Sequence, residues 1–247
     1  MPLFFAYSVK ERGHSMILFK NKIVFCLIGI LLLIAASAFY LKAASERETA
    51  AVFSPFYEGN TGNHQVAICV NVDWGEEYIP GMLQTLKDHD AKATFFLTGR
   101  WTEKFPDTAR TIKDAGMEIG NHGLKHNSPN AMSYEENRAD MEAAERIIED
   151  VLHVSTVLFA PAAGEIDEQV LQAAEDTGYR VILWSVDTID WQKPPKETII
   201  ERVSAKVTDG SIILMHPTEN TAAALDEILC VLETKGLKPV PVSELIK

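Results

Sequence analysis

The sequence predicts an α/β fold in which parallel strands and helical crossovers curl into a closed or nearly closed barrel, preceded by one N-terminal transmembrane helix. Three observations predict it. From His64 onward, apolar runs of strand length alternate with amphipathic runs of helix length, the pattern of parallel strands joined by helical crossovers. Each conspicuous polar cluster follows directly on one of those apolar runs, as expected where loops gather at the C-terminal rim of such strands. The stretch Ile23–Leu41, IVFCLIGILLLIAASAFYL, carries no charge and is long enough to cross a bilayer as a helix.

In chain order, residues 1–22 form a short segment whose Lys20 and Lys22 precede the apolar run. The positive-inside rule places that segment in the cytoplasm and everything after Lys42 outside, as a single-pass cell-membrane protein. The small residues Ala35, Ala36, Ser37 and Ala38 leave cleavage and secretion as the alternative, and either Met1 or Met16 suits as the start. Residues 42–63 mix polar residues, Pro and Gly without a sustained period and read as a linker, so the domain is expected over 64–247.

Within the domain, strands are expected at QVAICV, KATFFL, MEIG, TVLF, RVILW, SIILM and LKPVPV. Ser133 with Glu136 forms a capping box for a helix running toward Asp150. Cys69 and Cys230 read as buried apolar thiols outside any disulfide framework, and Cys26 lies in the apolar run. A formal charge of -12 over 247 residues, with no cluster of Lys and Arg, excludes nucleic acid as a partner.

The candidate chemistry lies at the strand ends. NVDWG follows the first strand, NHGLKH the third, APAAG the fourth, SVDTIDW the fifth and HP the sixth, so all five clusters share one rim. His122 and His126 stand one helical turn or a tight loop apart, and Asp73 from the neighbouring rim can add a carboxylate oxygen. Two imidazoles and a carboxylate leave an open position for water on a divalent ion, which suits amide or ester hydrolysis. His216 directly follows an apolar run; Asp187 or Asp190 could pair with it and let it protonate a leaving amine. Trp74 and Trp191 would then wall the pocket for a sugar, and Glu76 and Glu77 are expected to begin the following helix.

With these residues in place, the stretch from about His64 to the C-terminus resembles the NodB-type polysaccharide deacetylases of carbohydrate esterase family 4. HGLKH resembles the family's H-[ST]-x-x-H with Gly123 in place of the hydroxyl residue, DTIDW its D-x-x-D-W, and LMH at Leu214–His216 the LLH form of its last motif. The resemblance implies a distorted (β/α)7 barrel and a divalent metal, Zn²⁺ foremost with Co²⁺ or another ion as alternatives. It also implies removal of N-acetyl groups from chitin-like or peptidoglycan sugars. Asp73, His122 and His126 become the expected metal ligands, His216 and Asp190 the expected catalytic pair, and Trp74, Trp191 and the Ala163 backbone the expected substrate contacts.

Two motifs depart from the pattern. The family's T-F-D-D-G carries a base Asp and a ligand Asp, and here NVDWG has one carboxylate. Without a gap Asp73 takes the base position and Trp74 the ligand position; with one inserted residue Asp73 becomes the ligand, which is the expectation adopted. R-P-P-Y reads APAA, so Ala160 stands for the Arg that orients the base and Ala163 for the Tyr. The leading expectation is a membrane-anchored, metal-dependent deacetylase of cell-wall polysaccharide. The alternatives are an impaired deacetylase-like protein that binds wall glycan, with a part in sporulation, and a glycosidase using Asp73 with Asp187 or Asp190.

Overall fold

Strand β1, Gln65–Val72, takes the middle of the sheet because both of its faces are apolar and both are covered. Val66, Ile68, Val70 and Val72 pack against Met82, Leu86, Ile112 and Ile228 of the surrounding helices, while Ala67 and Cys69 meet Phe96, Leu158, Ile182 and Ile212 on the opposite face. Each large side chain removed from water in this way contributes about 1.5–3 kcal/mol.

The computed structural model describes residues 30, 32–37 and 54–247. The chain divides into two units, Met1–Val52 and Phe53–Lys247. In the first, residues 32–37 are helical. No helix among the described residues is long and apolar enough to cross a membrane; most of the span expected over Ile23–Leu41 lies outside the described residues.

In the second unit, β2 (Thr94–Leu97), β3 (Glu118–Asn121), β4 (Leu158–Phe159) and β5 (Arg180–Val181) extend the sheet on one side of β1. On the other side stand β7 (Ile212–Met215) and β6 (Val186–Asp187), giving the order β5-β4-β3-β2-β1-β7-β6 with every pairing parallel. A further short strand, β8 (Lys238–Pro239), pairs with the start of β1. The helices are α1 (Ile79–Asp88), α2 (Gly99–Lys104), α3 (Pro106–Asp114), α4 (Tyr134–Leu152), α5 (Glu168–Asp176), α6 (Lys196–Lys206), α7 (Glu219–Thr234) and α8 (Val242–Leu245). The capping box at α4 is formed in full: Ser133 Oγ accepts from the Glu136 amide at 3.3 Å, and the Ser133 amide donates to Glu136 Oε2 at 2.8 Å.

The architecture is a half-barrel rather than a closed one. β5 and β6 are the two edges of the sheet, each only two residues long. RVILW therefore supplies one short strand, and the second arises in SVD, which sequence patterning assigns to a rim loop. The stretch expected as linker partly fills the interval: Phe56 bridges Ile182 in parallel and Glu58 bridges Ser211 antiparallel. The Gly59 amide also donates to the Gly210 carbonyl at 2.8 Å. Backbone pairing with the sheet thus already occurs at Phe56 and Glu58, ahead of His64.

Strand register sets the rim. Asn71 pairs with Phe96 and Phe96 with Gly120, and the ladder continues past the named strands through Thr98 N to Val72 O, His122 N to Leu97 O and Ala160 N to Asn121 O, each 3.0 Å. Because side chains alternate between faces, Asp73, Thr98, His122 and Ala160 fall in one layer on the concave face across four adjacent strands. A polar layer at a strand end is thus the direct result of register.

Candidate active site

Asp73 is held by the element beside it. Its Oδ1 accepts from Thr98 Oγ1 at 2.8 Å, and its Oδ2 forms an ion pair with Arg100. Thr98 caps α2 and its hydroxyl oxygen also accepts from the Trp101 amide at 3.3 Å, so one side chain both starts the helix and orients the carboxylate. Both oxygens of Asp73 are therefore engaged by the protein. Thr98 and Arg100 are absent from the expected site; the readable signal was parity, since Thr98 lies opposite Asp73 once β1 and β2 are paired in register.

The histidine loop is built from below. Asn121 Oδ1 accepts from the Gly123 amide at 2.8 Å while its Nδ2 donates to the Met141 carbonyl and the Tyr179 hydroxyl at 2.9 and 2.8 Å. Asp140 on α4 accepts from the Leu124 amide at 2.7 Å, and its burial raises its pKa above the usual carboxylate range. Gly123 has φ of 78°, and a Cβ there would stand 2.6 Å from Asp140 Oδ2, which accounts for glycine where the resembling family carries a hydroxyl residue. Nothing in the sequence singles out Asp140, a mid-helix acid that patterning assigns to the surface.

His122 is buried, with Nδ1 2.6 Å from the Ala160 carbonyl. That bond places the proton on Nδ1 and leaves Nε2 as the free electron pair. Desolvation, with His126 and His216 adding to it against the opposing bond to Ala160, pulls its pKa down to about 3. His122 is thus a neutral imidazole ready to ligate a cation. His126, in a loop at φ of 55°, meets it edge-on with ring centroids 5.0 Å apart.

A third rim element completes the arrangement. Asp190 is fully buried and accepts three hydrogen bonds: His216 Nδ1 at 2.7 Å, the His216 amide at 2.7 Å and Thr221 Oγ1 at 2.6 Å. Of the two carboxylates expected near His216, Asp190 makes the pair; Asp187 instead accepts from the Ile189 amide at 2.7 Å. The bond to Nδ1 fixes the ring and directs Nε2 away from Asp190, the orientation required of an acid or a ligand. Trp74 lies against the His216 ring, 6.0 Å between centroids and 8° between planes. Gly75, at φ of 86°, packs so closely on Pro217 that any Cβ would overlap its carbonyl, which locks the β1 loop to the β7 loop.

A cavity of about 760 Å³ opens beside this layer and is lined by Asp73, Trp74, Arg100, Lys104, Trp191 and Glu219 among others. Trp74 and Trp191 are 40% and 55% exposed, enough to present ring faces to a flat ligand. Glu76 and Glu77 line the same cavity from the turn before α1 rather than from its first turn. Ala163 is exposed at φ of 54° in the short turn Ala162–Gly164 after β4. Cys69 is buried, where desolvation first and then Glu118 push its thiol pKa up; Cys230, expected to be buried, is exposed because α7 turns that position outward.

The residues present fit a divalent ion only in part. His122 and His126 offer two imidazoles at suitable spacing, but Asp73 is committed to Thr98 and Arg100. Among the described residues, Asp73, His122 and His126 do not draw their donor atoms within 4.8 Å of one another. The donor set is incomplete as it stands, and no hydrolytic step follows from it.

An α/β half-barrel with a histidine pair, a buried Asp–His pair and aromatic walls on one rim defines a carbohydrate-esterase-like protein. The chain belongs to the polysaccharide deacetylase family, whose model matches residues 58–182, and is a divergent NodB-type member of carbohydrate esterase family 4. Deacetylases of this family generally depend on a divalent metal. The chain is 36% identical to the uncharacterized protein YlxY of Bacillus subtilis over 78% of its length, and spans 60% of that relative. It is 33% identical to a peptidoglycan-N-acetylglucosamine deacetylase of Bacillus cereus, covering 74% of this chain and 68% of the relative. Among solved structures, a carbohydrate esterase family 4 pseudoenzyme from Bacillus anthracis superposes with a TM-score of 0.77 at 39% identity, over 78% of this chain and 69% of that one.

Proposed function

We propose that this protein is a catalytically impaired polysaccharide deacetylase that binds N-acetylated cell-wall glycan on its rim. One observation carries the reading: the only carboxylate of the NVDWG motif is tied by both oxygens to Thr98 and Arg100, while its neighbour Trp74 lies on the ring of His216. A carboxylate so held neither joins the histidine pair nor stands free to take a proton from water, and loss of a general base typically costs about 100- to 10,000-fold in rate. The likeness to a pseudoenzyme of the same fold supports the reading. Ala160 and Ala163, where the family pattern has Arg and Tyr, support it further.

In this reading Trp74 and Trp191 supply the sugar platform, and Arg100, Lys104 and Glu219 supply polar contacts around the cavity. The uncharged run at 23–41 supports a membrane-anchored domain facing outward, where wall glycan lies.

The test pairs two assays on the purified protein with N-acetylglucosamine oligomers and peptidoglycan fragments, with and without added Zn²⁺. Saturable binding with no acetate release is expected. Acetate release that is lost in His126→Ala would replace this reading with a second one, a slow metal-dependent N-deacetylase. That reading is favoured by the intact Asp190–His216 pair, which is oriented as a general acid requires. Absence of glycan binding would overturn the binding proposal.

A further inference from the structure

Helices α1 and α7 pack through Met82, Leu86, Leu225, Ile228 and Leu229 of the main core. Where α1 ends, its capping residue His89 places Nε2 2.8 Å from Asp226 Oδ1 on α7. Cys230 stands one helical turn beyond Asp226 on the same helix, four residues on, and so shares its face. The imidazole nitrogen, carboxylate oxygen and thiol sulfur lie within 4.8 Å of one another, and among the described residues no other three such side chains do so.

We propose that His89, Asp226 and Cys230 form a metal site for a zinc-class divalent ion that staples α1 to α7, separate from the rim. The donor set decides the class of ion. A thiolate with an imidazole and a carboxylate suits a borderline-soft cation rather than Mg²⁺ or Ca²⁺, which take oxygen ligands. Bonds of about 2.0–2.3 Å in a tetrahedral shell put neighbouring donors roughly 3.5 Å apart, so side-chain rotations alone close the set around an ion. The two helix backbones need not move, because the buried seam between them already fixes them. Three protein ligands leave the fourth position to water.

The surroundings favour a cation. A neighbouring cavity of about 520 Å³ is lined by His89 with Asp88, Asp90 and Glu233, against a single Lys238. The hydrogen bond from His89 to Asp226 would satisfy those two groups by itself, but it gives no part to Cys230, an exposed thiol aligned with both. The site also has a bearing on the rim at a distance. α1 follows the Asp73–Gly75 loop, and α7 opens with Thr218 and Thr221, the latter bonded to Asp190. An ion there would tie together the two helices on which those loops are mounted.

The test titrates CoCl₂, then ZnCl₂, into the metal-stripped full chain, following the absorption of a cobalt–thiolate bond and the melting temperature. Wild type and His122→Ala/His126→Ala should both show the thiolate band and a Zn²⁺-induced rise in Tm. Cys230→Ser should abolish the band, and His89→Ala should weaken binding on the order of 100-fold, one ligand's share of the affinity. Because the band reports sulfur, wild type against exposed, conservative Cys230→Ser decides the question even if the double histidine variant fails to fold. No thiolate band in wild type, or a band undiminished in Cys230→Ser, would overturn the proposal.

Discussion

Trp74 lies flat on His216, with planes 8° apart, at the position where an ungapped reading of the family motif expects a metal-binding carboxylate. The indole therefore fills the interval between the β1 loop and the β7 loop with an apolar plate. Trp74→Asp removes the plate and puts a carboxylate on the rim that carries His122 and His126. The expected outcome is a gain of at least about 10-fold in Zn²⁺ affinity, measured by calorimetric titration, and loss of that gain when His126→Ala is added. An unchanged affinity would show that Trp74 does not stand at a ligand position.

Trp191 tests the sugar platform independently, since it lines the same cavity and is more than half exposed. An aromatic stacking contact is worth about 0.5–1.5 kcal/mol beyond area burial. Trp191→Ala should therefore weaken binding of N-acetylglucosamine oligomers by about 2- to 10-fold while leaving the melting temperature within about a degree of wild type. Unaltered glycan affinity would remove Trp191 from the site.

Asp190 holds the β6–β7 side of the rim together through its three hydrogen bonds in full burial. Asp190→Ala strands the His216 amide, the His216 ring and the Thr221 hydroxyl at once. Breaking such a buried constellation by removing one partner costs about 3–5 kcal/mol. Urea unfolding should show that loss, and Asp190→Asn, which keeps an acceptor oxygen, should lose less; a change below about 1 kcal/mol in Asp190→Ala would contradict the network.

His122 gives a pH dependence whose sign is fixed by its burial. Its folded pKa of about 3 lies below the ordinary 6.5. Above about pH 6.5 the ring is neutral in both states and contributes no pH dependence. As the pH falls below that value the unfolded chain takes up a proton that the folded one refuses. Stability is then lost by up to about 1.4 kcal/mol per pH unit until about pH 3. Urea unfolding at several pH values should show a flatter dependence in His122→Gln than in wild type, and parallel curves would rule out this contribution.

The strands that are long and buried on both faces, β1, β2 and β7, are legible in the sequence because continuous apolar runs of that length have few other uses. β5 and β6 are not, since a two-residue strand has no period to detect and exists only through its neighbours. The same limit hides Phe56 and Glu58, which pair with partners more than a hundred residues away in a stretch of mixed polarity. In the site, His122, His126, Asp190 and His216 stand out because they belong to polar clusters that follow apolar runs. Thr98, Arg100 and Asp140 do not, because each has an ordinary local role at a helix start or on a helix face. What Asp73 does depends on Thr98 and Arg100, and its sequence reading as a ligand could not include the partners that occupy its oxygens.

The central position of β1 also sets a schedule. Ala67 on β1 pairs with Ile212 on β7, and Val66 pairs with Pro239 on β8, so the first strand made acquires two of its three partners from the last part of the chain. A polypeptide emerging N-terminus first can pair β1 with β2 early, but it leaves the other edge of β1 bare until nearly all of the sequence has been delivered. Contacts of such long sequence separation form slowly, and an unpaired apolar edge is a template for aggregation while it waits. The sheet of this protein is therefore completed only near the end of synthesis, and whatever receives the nascent chain must shield one open edge of a hydrophobic strand for most of its production.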